Sequence, residues 1–273
     1  MHWLLEHEAL FRLGCFSSIF VLMVIGELAL PYRQQAHKPQ RWLNNLGLML
    51  LNTLVLRLLF PAAAIGIAFY AQQHEIGLLN GLLNPLSLND SGFLSFLVLV
   101  VSVLLLDMLI YWQHRLFHQI PLLWRLHRVH HSDRGFDIST GVRFHPLEIV
   151  LSMLIKGGLI LLIGFSPIAV LLFETLLSSC AIFNHGNVSL PAALDRLLRK
   201  ILVTPDMHRI HHSEIINETN SNYGFSITWW DKLFGSYCVE AAAGKENIVL
   251  GLSQYRQPER VNRFVALLMM PFR

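Results

Sequence analysis

Three apolar stretches, about Leu10 to Leu30, Leu46 to Tyr70 and Phe93 to Trp112, constrain this chain more than any other feature. Each is near the roughly 20 residues that an α-helix needs to cross a bilayer. A fourth apolar region, Leu147 to Phe183, is nearly twice that length. It is interrupted by Gly157-Gly158 and by Gly164-Phe165-Ser166-Pro167, where a glycine and a proline favour a turn. That pattern predicts a helical hairpin with its tip near Pro167. Composition agrees: 53% of the residues are hydrophobic and 14% charged, with a mean hydropathy of +0.47. These values exclude an ordinary soluble domain. The expected fold class is all-α, a polytopic integral membrane protein with about three spans plus a helical hairpin.

Basic residues orient the spans. Arg33, Lys38 and Arg41 follow the first run, no Lys or Arg lies between Ala71 and Gly92, and Arg115, Arg125, Arg128, Arg134 and Arg143 follow the third. By the positive-inside rule the first and third of these loops are cytosolic. A hairpin that enters and returns leaves the C-terminal part, with Arg196, Arg199 and Lys200, on that side too. The first run has acidic residues ahead of it and ends in Pro31-Tyr32-Arg33 without a small-residue cleavage pattern, so a retained anchor is expected. Cys15, Cys180 and Cys238 are odd in number and widely spaced, which indicates no disulfide framework. A net charge of +3 suits basic loops beside anionic headgroups. No basic repeat suggests nucleic acid as a partner.

Chemistry is concentrated in histidine. His-Arg-Val-His-His-Ser at His127 to Ser132 and His-Arg-Ile-His-His-Ser at His208 to Ser213 are nearly identical, and chance at this histidine frequency supplies far less than one copy. His114-x-x-x-His118 raises the motif histidines to eight. Residues three and four apart share a helix face, so His127 can sit beside both His130 and His131 while those two diverge by about 100 degrees. One helix can then serve two metal ions. A structural zinc site needs only four ligands, often with cysteine among them. Eight imidazoles are enough for two metals with open positions, as oxygen activation requires. His185, in Asn184-His185-Gly186-Asn187, and His145, before Pro146, are further candidate ligands. All of these lie on one side of the predicted membrane, in a cytosolic histidine-rich helical cap.

Residues 1–92 read as an anchoring helical segment, 93–240 as the catalytic domain, and 241–273 as a tail. In that tail Val261 to Met270 is either an interfacial amphipathic helix or a segment packed on the cap. Asp107, Tyr111, His114 and His118 form one stripe along the third span, running from the hydrocarbon into the interface. An ionisable residue within a span suggests function. Asp107 reads either as a carboxylate paired with an arginine or as a partner orienting a metal-bound imidazole. Tyr111 reads as an interfacial aromatic anchor or a catalytic group. Asp133 and Glu214, after the two hexapeptides, either accept a histidine N–H or cap helix ends. Trp124, Phe136 and Phe144 are candidate walls of a substrate path or ordinary packing residues.

An ordered series runs Asp107-x3-Tyr111-Trp112-x-His114-Arg115-x2-His118, Trp124-x2-His127-x2-His130-His131, His145-Pro146-Leu147-Glu148, Asn184-His185-x-Asn187 and His208-x2-His211-His212. It ends with Asn222-Tyr223-Gly224 and Trp230-Asp231-x2-Phe234-Gly235. This series resembles the fatty acid hydroxylase and sterol desaturase superfamily of membrane di-iron enzymes, over roughly Asp107 to Gly235. The resemblance implies two iron ions, replaceable by zinc, with dioxygen as co-substrate. It also implies hydroxylation or desaturation of a lipid or sterol-like substrate that enters from the membrane. The implied ligands are His114, His118, His127, His130, His131, His208, His211 and His212, with His185 as a ninth. Fatty acid 2-hydroxylase relatives carry a second His-x-x-x-His ahead of the last cluster, whereas here Ala181 stands four residues before His185. The pattern is closer to the sterol desaturase branch.

No flavin or nicotinamide fingerprint and no haem or iron-sulfur cysteine motif is present. Electrons are therefore expected from an external donor protein or small reductant. Two alternatives have different chemistry: a non-catalytic zinc-binding membrane protein, and a metal transporter. Conduction would call for histidines along the spans, and these have none apart from the interfacial His114.

Overall fold

The computed structural model describes residues 2–35, 38–83, 92–257 and 261–273. Five of its helices are long and apolar enough to cross a membrane, matching the three runs and the hairpin. They are α1 (Glu8–Ala29), a broken helix made of α2 (Lys38–Leu59) and α3 (Ala63–Gln73), α4 (Gly92–Gln119), and the pair that the hairpin requires. The run from Leu46 to Tyr70 is thus two helices and not one. Pro61 lacks the N–H that a continuous helix needs, and Ala63 takes a left-handed φ of 50°. The expected boundary at residue 92 adjoins residues 84–91, which lie outside the described residues.

The hairpin forms where the sequence places it. The rising helix ends at Gly164, whose φ of 80° is one that glycine adopts without strain. The Ser166 hydroxyl then accepts from Ala169 N–H, and Pro167 takes the first helical position. Gly77 packs on Gly164 so closely that a Cβ there would lie 2.4 Å from the Gly164 nitrogen. This end of the bundle therefore gathers the hairpin tip and the segment after α3.

Apolar packing joins the spans around Ile65, Ala68, Leu106, Ile160, Phe165 and Phe173. On α1, Leu10, Leu13, Val21, Leu22, Ile25 and Leu28 are exposed, an outward face suited to lipid. At 1.5 Å per residue α4 is about 42 Å long, longer than a hydrocarbon core of ~30 Å. Its last turns therefore project beyond the spans, at the end opposite the hairpin tip. There they meet α5 (Pro121–His131), the start of α6 (Pro146–Ile163), the end of α7 (Pro167–Asn184) and α8 (Pro205–His211). The described residues contain no strand, only isolated bridges such as Pro31 with Val188.

Polar contacts hold this cap to the second span. Arg41, near the start of α2, donates to both Asp133 oxygens at 2.6 and 3.0 Å and to Asp137 at 3.0 Å. Asn45 donates to Asp133 and to Ser139, and Arg143 donates to Asn45, to Ser132 Oγ and to the Val129 carbonyl. Burial alone would raise the Asp133 carboxyl, but the Arg41 and Arg143 charges hold it well below the usual carboxylate range. Gly135 is obligatory here, because a Cβ would fall 2.2 Å from the Arg41 guanidinium. The Val261 to Met270 segment packs on the cap: Val261, Leu267 and Met270 are buried against Leu48 and Val129, with α9 (Phe264–Met269) as its helix.

Two outcomes are expected. With the three native cysteines replaced by alanine, single cysteines at Gly81 and Asn217 should react with an impermeant label from opposite sides of the membrane. Labelling from the same side would contradict the placement of the hairpin tip. Arg41→Met should leave Asp137 buried without its cation and Asp133 with Arg143 alone, at a cost of ~3–5 kcal/mol, seen as a lower melting temperature in detergent.

Candidate metal centre

Both hexapeptides lie on short helices, α5 and α8, each opened by a proline at its first position. The Thr204 hydroxyl caps α8 by accepting from Met207 N–H. Helical spacing then splits each hexapeptide between two groups. One ring nitrogen from each of His114, His118, His127, His131 and His211 lies within 4.8 Å of the others, and the same holds for His130, His185, His208 and His212. The first hexapeptide gives its i, i+4 pair to the five-membered group and its middle histidine to the other. The second does the reverse. His114 and His118, on the projecting end of α4, complete one group, and His185, at the C-cap of α7, completes the other.

The hydrogen bonds fix the tautomers of several of these rings. His114 Nδ1 lies 2.7 Å from the Tyr223 carbonyl, His211 Nδ1 2.7 Å from the Ser221 carbonyl and His127 Nδ1 2.6 Å from Glu148 Oε1. Carbonyl and carboxylate oxygens only accept, so each Nδ1 carries the proton and each Nε2 is a bare lone pair. Yet His114 Nε2 stands 3.1 Å from His127 Nε2 and 3.2 Å from His211 Nε2. In the second group His185 Nδ1 donates to the Ala181 carbonyl, and its Nε2 lies 3.2 Å from His130 Nε2 and 3.0 Å from His208 Nε2. In the first group three lone pairs converge and repel unless a cation lies among them, and in the second two Nε2 atoms crowd the single lone pair of His185. Both ring nitrogens of His118, His131 and His212 are buried without a partner among the described residues, and such groups cost about 1–3 kcal/mol each. The donor set fits two metal ions that accept imidazole.

Electrostatics keep six of these imidazoles in the neutral form that can accept a metal. Burial, reinforced by neighbouring imidazoles, holds His130, His131, His208 and His212 well below the usual imidazole pKa. Burial brings His185 to about 4 and His211 to about 3. All six are therefore neutral at pH 7.

Other sequence candidates fall elsewhere. The His145 ring caps α6, its Nδ1 accepting from Leu147 N–H and its Nε2 donating to the Leu268 carbonyl, and it belongs to neither group. Asp107 accepts from the Trp230 indole at 2.8 Å and pairs neither with an arginine nor with His114. It stands seven residues before His114, about 10 Å along the helix, which puts that imidazole out of reach. The buried Tyr111 hydroxyl meets Ser236 Oγ at 2.7 Å and accepts from Arg115. Both residues tie α4 to the 222–237 loop, whose hub is Asp231. Its carboxylate, pushed up to about 6 by burial, accepts from the N–H groups of Tyr223 and Gly224 and from Ser236 Oγ. That loop presents the Tyr223 carbonyl to His114. Asp133 belongs to the Arg41 network, and Glu214 pairs with Arg256.

A cavity of about 380 Å³ opens between the spanning helices beside His114 and His127. Phe144 lines it and stacks on His130 at 4.5 Å, whereas Trp124 and Phe136 pack against histidine rings away from it. The sequence reading missed Glu148 as a histidine partner, although a lone acid in the turn that opens an apolar run was a visible signal. It also missed the backbone carbonyls, for which residue types carry no signal.

Glu148→Gln should keep the hydrogen bond to His127 but remove its charge, and a 10- to 100-fold loss of metal affinity is expected in competition with a chelator. His145→Ala should cost about 1 kcal/mol of stability as a lost cap while the metal content of the purified protein stays unchanged.

Over 148 residues the chain is 32% identical to an alkylglycerol monooxygenase of Homo sapiens, covering 52% of this chain and 30% of that protein. It is 33% identical over 140 residues to the ornithine lipid hydroxylase OlsE of Rhizobium tropici, covering 50% and 41%. It is 30% identical over 143 residues to a cholesterol 25-hydroxylase-like protein of Danio rerio, covering 50% and 54%. The chain thus spans about a third to a half of the length of these relatives. No solved structure matches it. Residues 99–236, half of the chain and every histidine of both groups, match the fatty acid hydroxylase family, and the chain belongs to that family.

Proposed function

We propose that this protein is a membrane di-iron oxygenase that hydroxylates or desaturates a lipid, using dioxygen and electrons supplied by an external donor. One observation carries the reading: the five-membered histidine group opens, through His114 and His127, onto a cavity between spanning helices. A structural zinc site has no use for nine imidazoles or for such a cavity. In relatives named as a monooxygenase and an ornithine lipid hydroxylase, oxidation of lipids supports the same class of reaction.

His114, His118, His127, His131 and His211 would hold one iron, and His130, His185, His208 and His212 the other. Two irons so held supply the capacity to activate dioxygen for attack on an unactivated carbon-hydrogen bond. The chain's own groups prepare the site. Glu148 and the Tyr223, Ser221 and Ala181 carbonyls fix the Nδ1 protons and aim the Nε2 lone pairs. Asp107 and Tyr111 act as positioning residues through the 222–237 loop. The spans admit an apolar substrate laterally, and the histidine face lies toward the cytosol, where the basic loops and an electron donor meet.

Purified protein loaded with iron should contain two irons per chain and take up oxygen only when lipid extract and a reductant are present. Ala181 lines the cavity, so Ala181→Leu should intrude on it and lower turnover roughly 100-fold, the cost of misplacing a reactant by about 1 Å, with iron content unchanged. Tightly held zinc, with no oxygen uptake after exchange for iron, would overturn the proposal.

A further inference from the structure

The cavity beside His114 and His127 has a charged far end. Its walls are helix stripes, Glu148, Ser152 and Lys156 on α6 and Glu174, Ser178 and Ala181 on α7, each at the spacing of one helix face. At the end remote from the histidines, Glu174 accepts from Arg12 of α1 at 2.6 Å and from Lys156. Along the helices Lys156 lies about 12 Å from Glu148, and Glu174 about 10 Å from Ala181. Lys156 stands eight residues, about 12 Å, before Gly164, and Glu174 seven residues, about 10 Å, after Pro167, so both lie at similar depth from the hairpin tip. Three charges therefore sit within spanning helices, where ionisable groups are costly and mark substrate or ion paths.

A simple staple between helices would match one cation to one carboxylate. Here two cations share Glu174, and both of its oxygens are taken. Lys156 spends one of its three N–H groups on Glu174, while Arg12 donates through Nη2 and brings Nε to 3.8 Å from Glu8. Among the described residues the remaining N–H groups of these two cavity-lining residues meet no acceptor besides Glu8, and because Glu8 does not line the cavity, two cations face one carboxylate at this end of its wall. An oxygen-rich anion satisfies both conditions. The volume, about 380 Å³, is at the small end of ligand pockets and suits one chain.

We propose that Arg12, Lys156 and Glu174 form a head-group subsite for a single-chain amphiphile with an anionic oxygen head, a carboxylate or a phosphate monoester. Its chain lies along the α6 and α7 stripes and passes His114 and His127. The head thus sits toward the leaflet remote from the histidines. The carbon presented to the metal centre is fixed by its distance from the head, a statement that rests on the oxygenase reading, whereas the binding statement does not.

Binding of radiolabelled hexadecanoate, hexadecyl phosphate and hexadecanol to the full chain in nanodiscs tests it. The wild type should bind at least one anionic probe tenfold or more tightly than hexadecanol, and the stronger of the two identifies the head. Lys156→Met should abolish that preference without weakening hexadecanol. The triple variant Arg12→Met/Lys156→Met/Glu174→Leu leaves no buried charge unpaired, Glu8 being exposed to the surface, so it separates head-group binding from helix stapling. It should retain metal content and hexadecanol binding and lose the anionic preference. Equal binding of all three probes by the wild type, or an anionic preference that survives in either variant, would overturn the subsite. With iron-loaded protein, acids of two chain lengths should be modified at the same carbon counted from the head; a position constant from the methyl end would also overturn it. If no lipid is oxidised, the oxygenase reading fails and the binding measurements alone decide the subsite.

Discussion

Nine imidazoles converge in groups of five and four, with several Nε2 atoms only 3.0–3.2 Å apart, and most of the cap can be understood as the apparatus that makes this arrangement possible. Left to themselves, the rings would turn a proton toward a neighbour or swing out to water. Four are prevented from doing so because Nδ1 is tied to a fixed acceptor. Three of those acceptors are backbone carbonyls, so ring orientation is set by the path of the chain. The 222–237 loop is held by Asp231, where a Cβ on Gly224 would come within 2.8 Å of the carboxylate. Placing Tyr223 correctly thus depends on a buried acid, a glycine and the indole contact to Asp107.

The same logic explains why the second span begins inside the cap. Arg41 and Asn45 are buried polar residues near the start of the second span's helix, and they bind the turn after the first hexapeptide. A buried ion pair of this kind is weak evidence for net stability but is costly to break by removing one partner. It fixes where α5 stands relative to the spans. Because α4 outreaches the hydrocarbon, it carries His114 and His118 into that same layer, and the cavity can connect a lipid-facing space with a polar centre.

Much of this was legible in the residues. Five crossings followed from the lengths of the apolar runs, the hairpin tip from Gly164 and Pro167, and the division of each hexapeptide between two groups from the angular spacing of a helix. The break at Pro61 was also written in the sequence, although hydropathy alone reads through it, since proline changes the backbone without changing apolarity. Asp107 was readable as a buried acid, but its partner was not, because the indole that meets it lies 123 residues away in the chain.

By itself the sequence determined the membrane helices, the common side of the histidine motifs and the candidate ligands, because hydropathy and helical periodicity are local properties of neighbouring residues. Only the tertiary structure decided that His185 joins His130, His208 and His212, that His145 is a cap, that Glu148 holds His127, and that Arg12, Lys156 and Glu174 meet at one end of a cavity. Each of those facts is a contact between distant segments, or a hydrogen bond to a backbone carbonyl. Such contacts are fixed by how helices pack and where loops run, and no residue type announces them in advance.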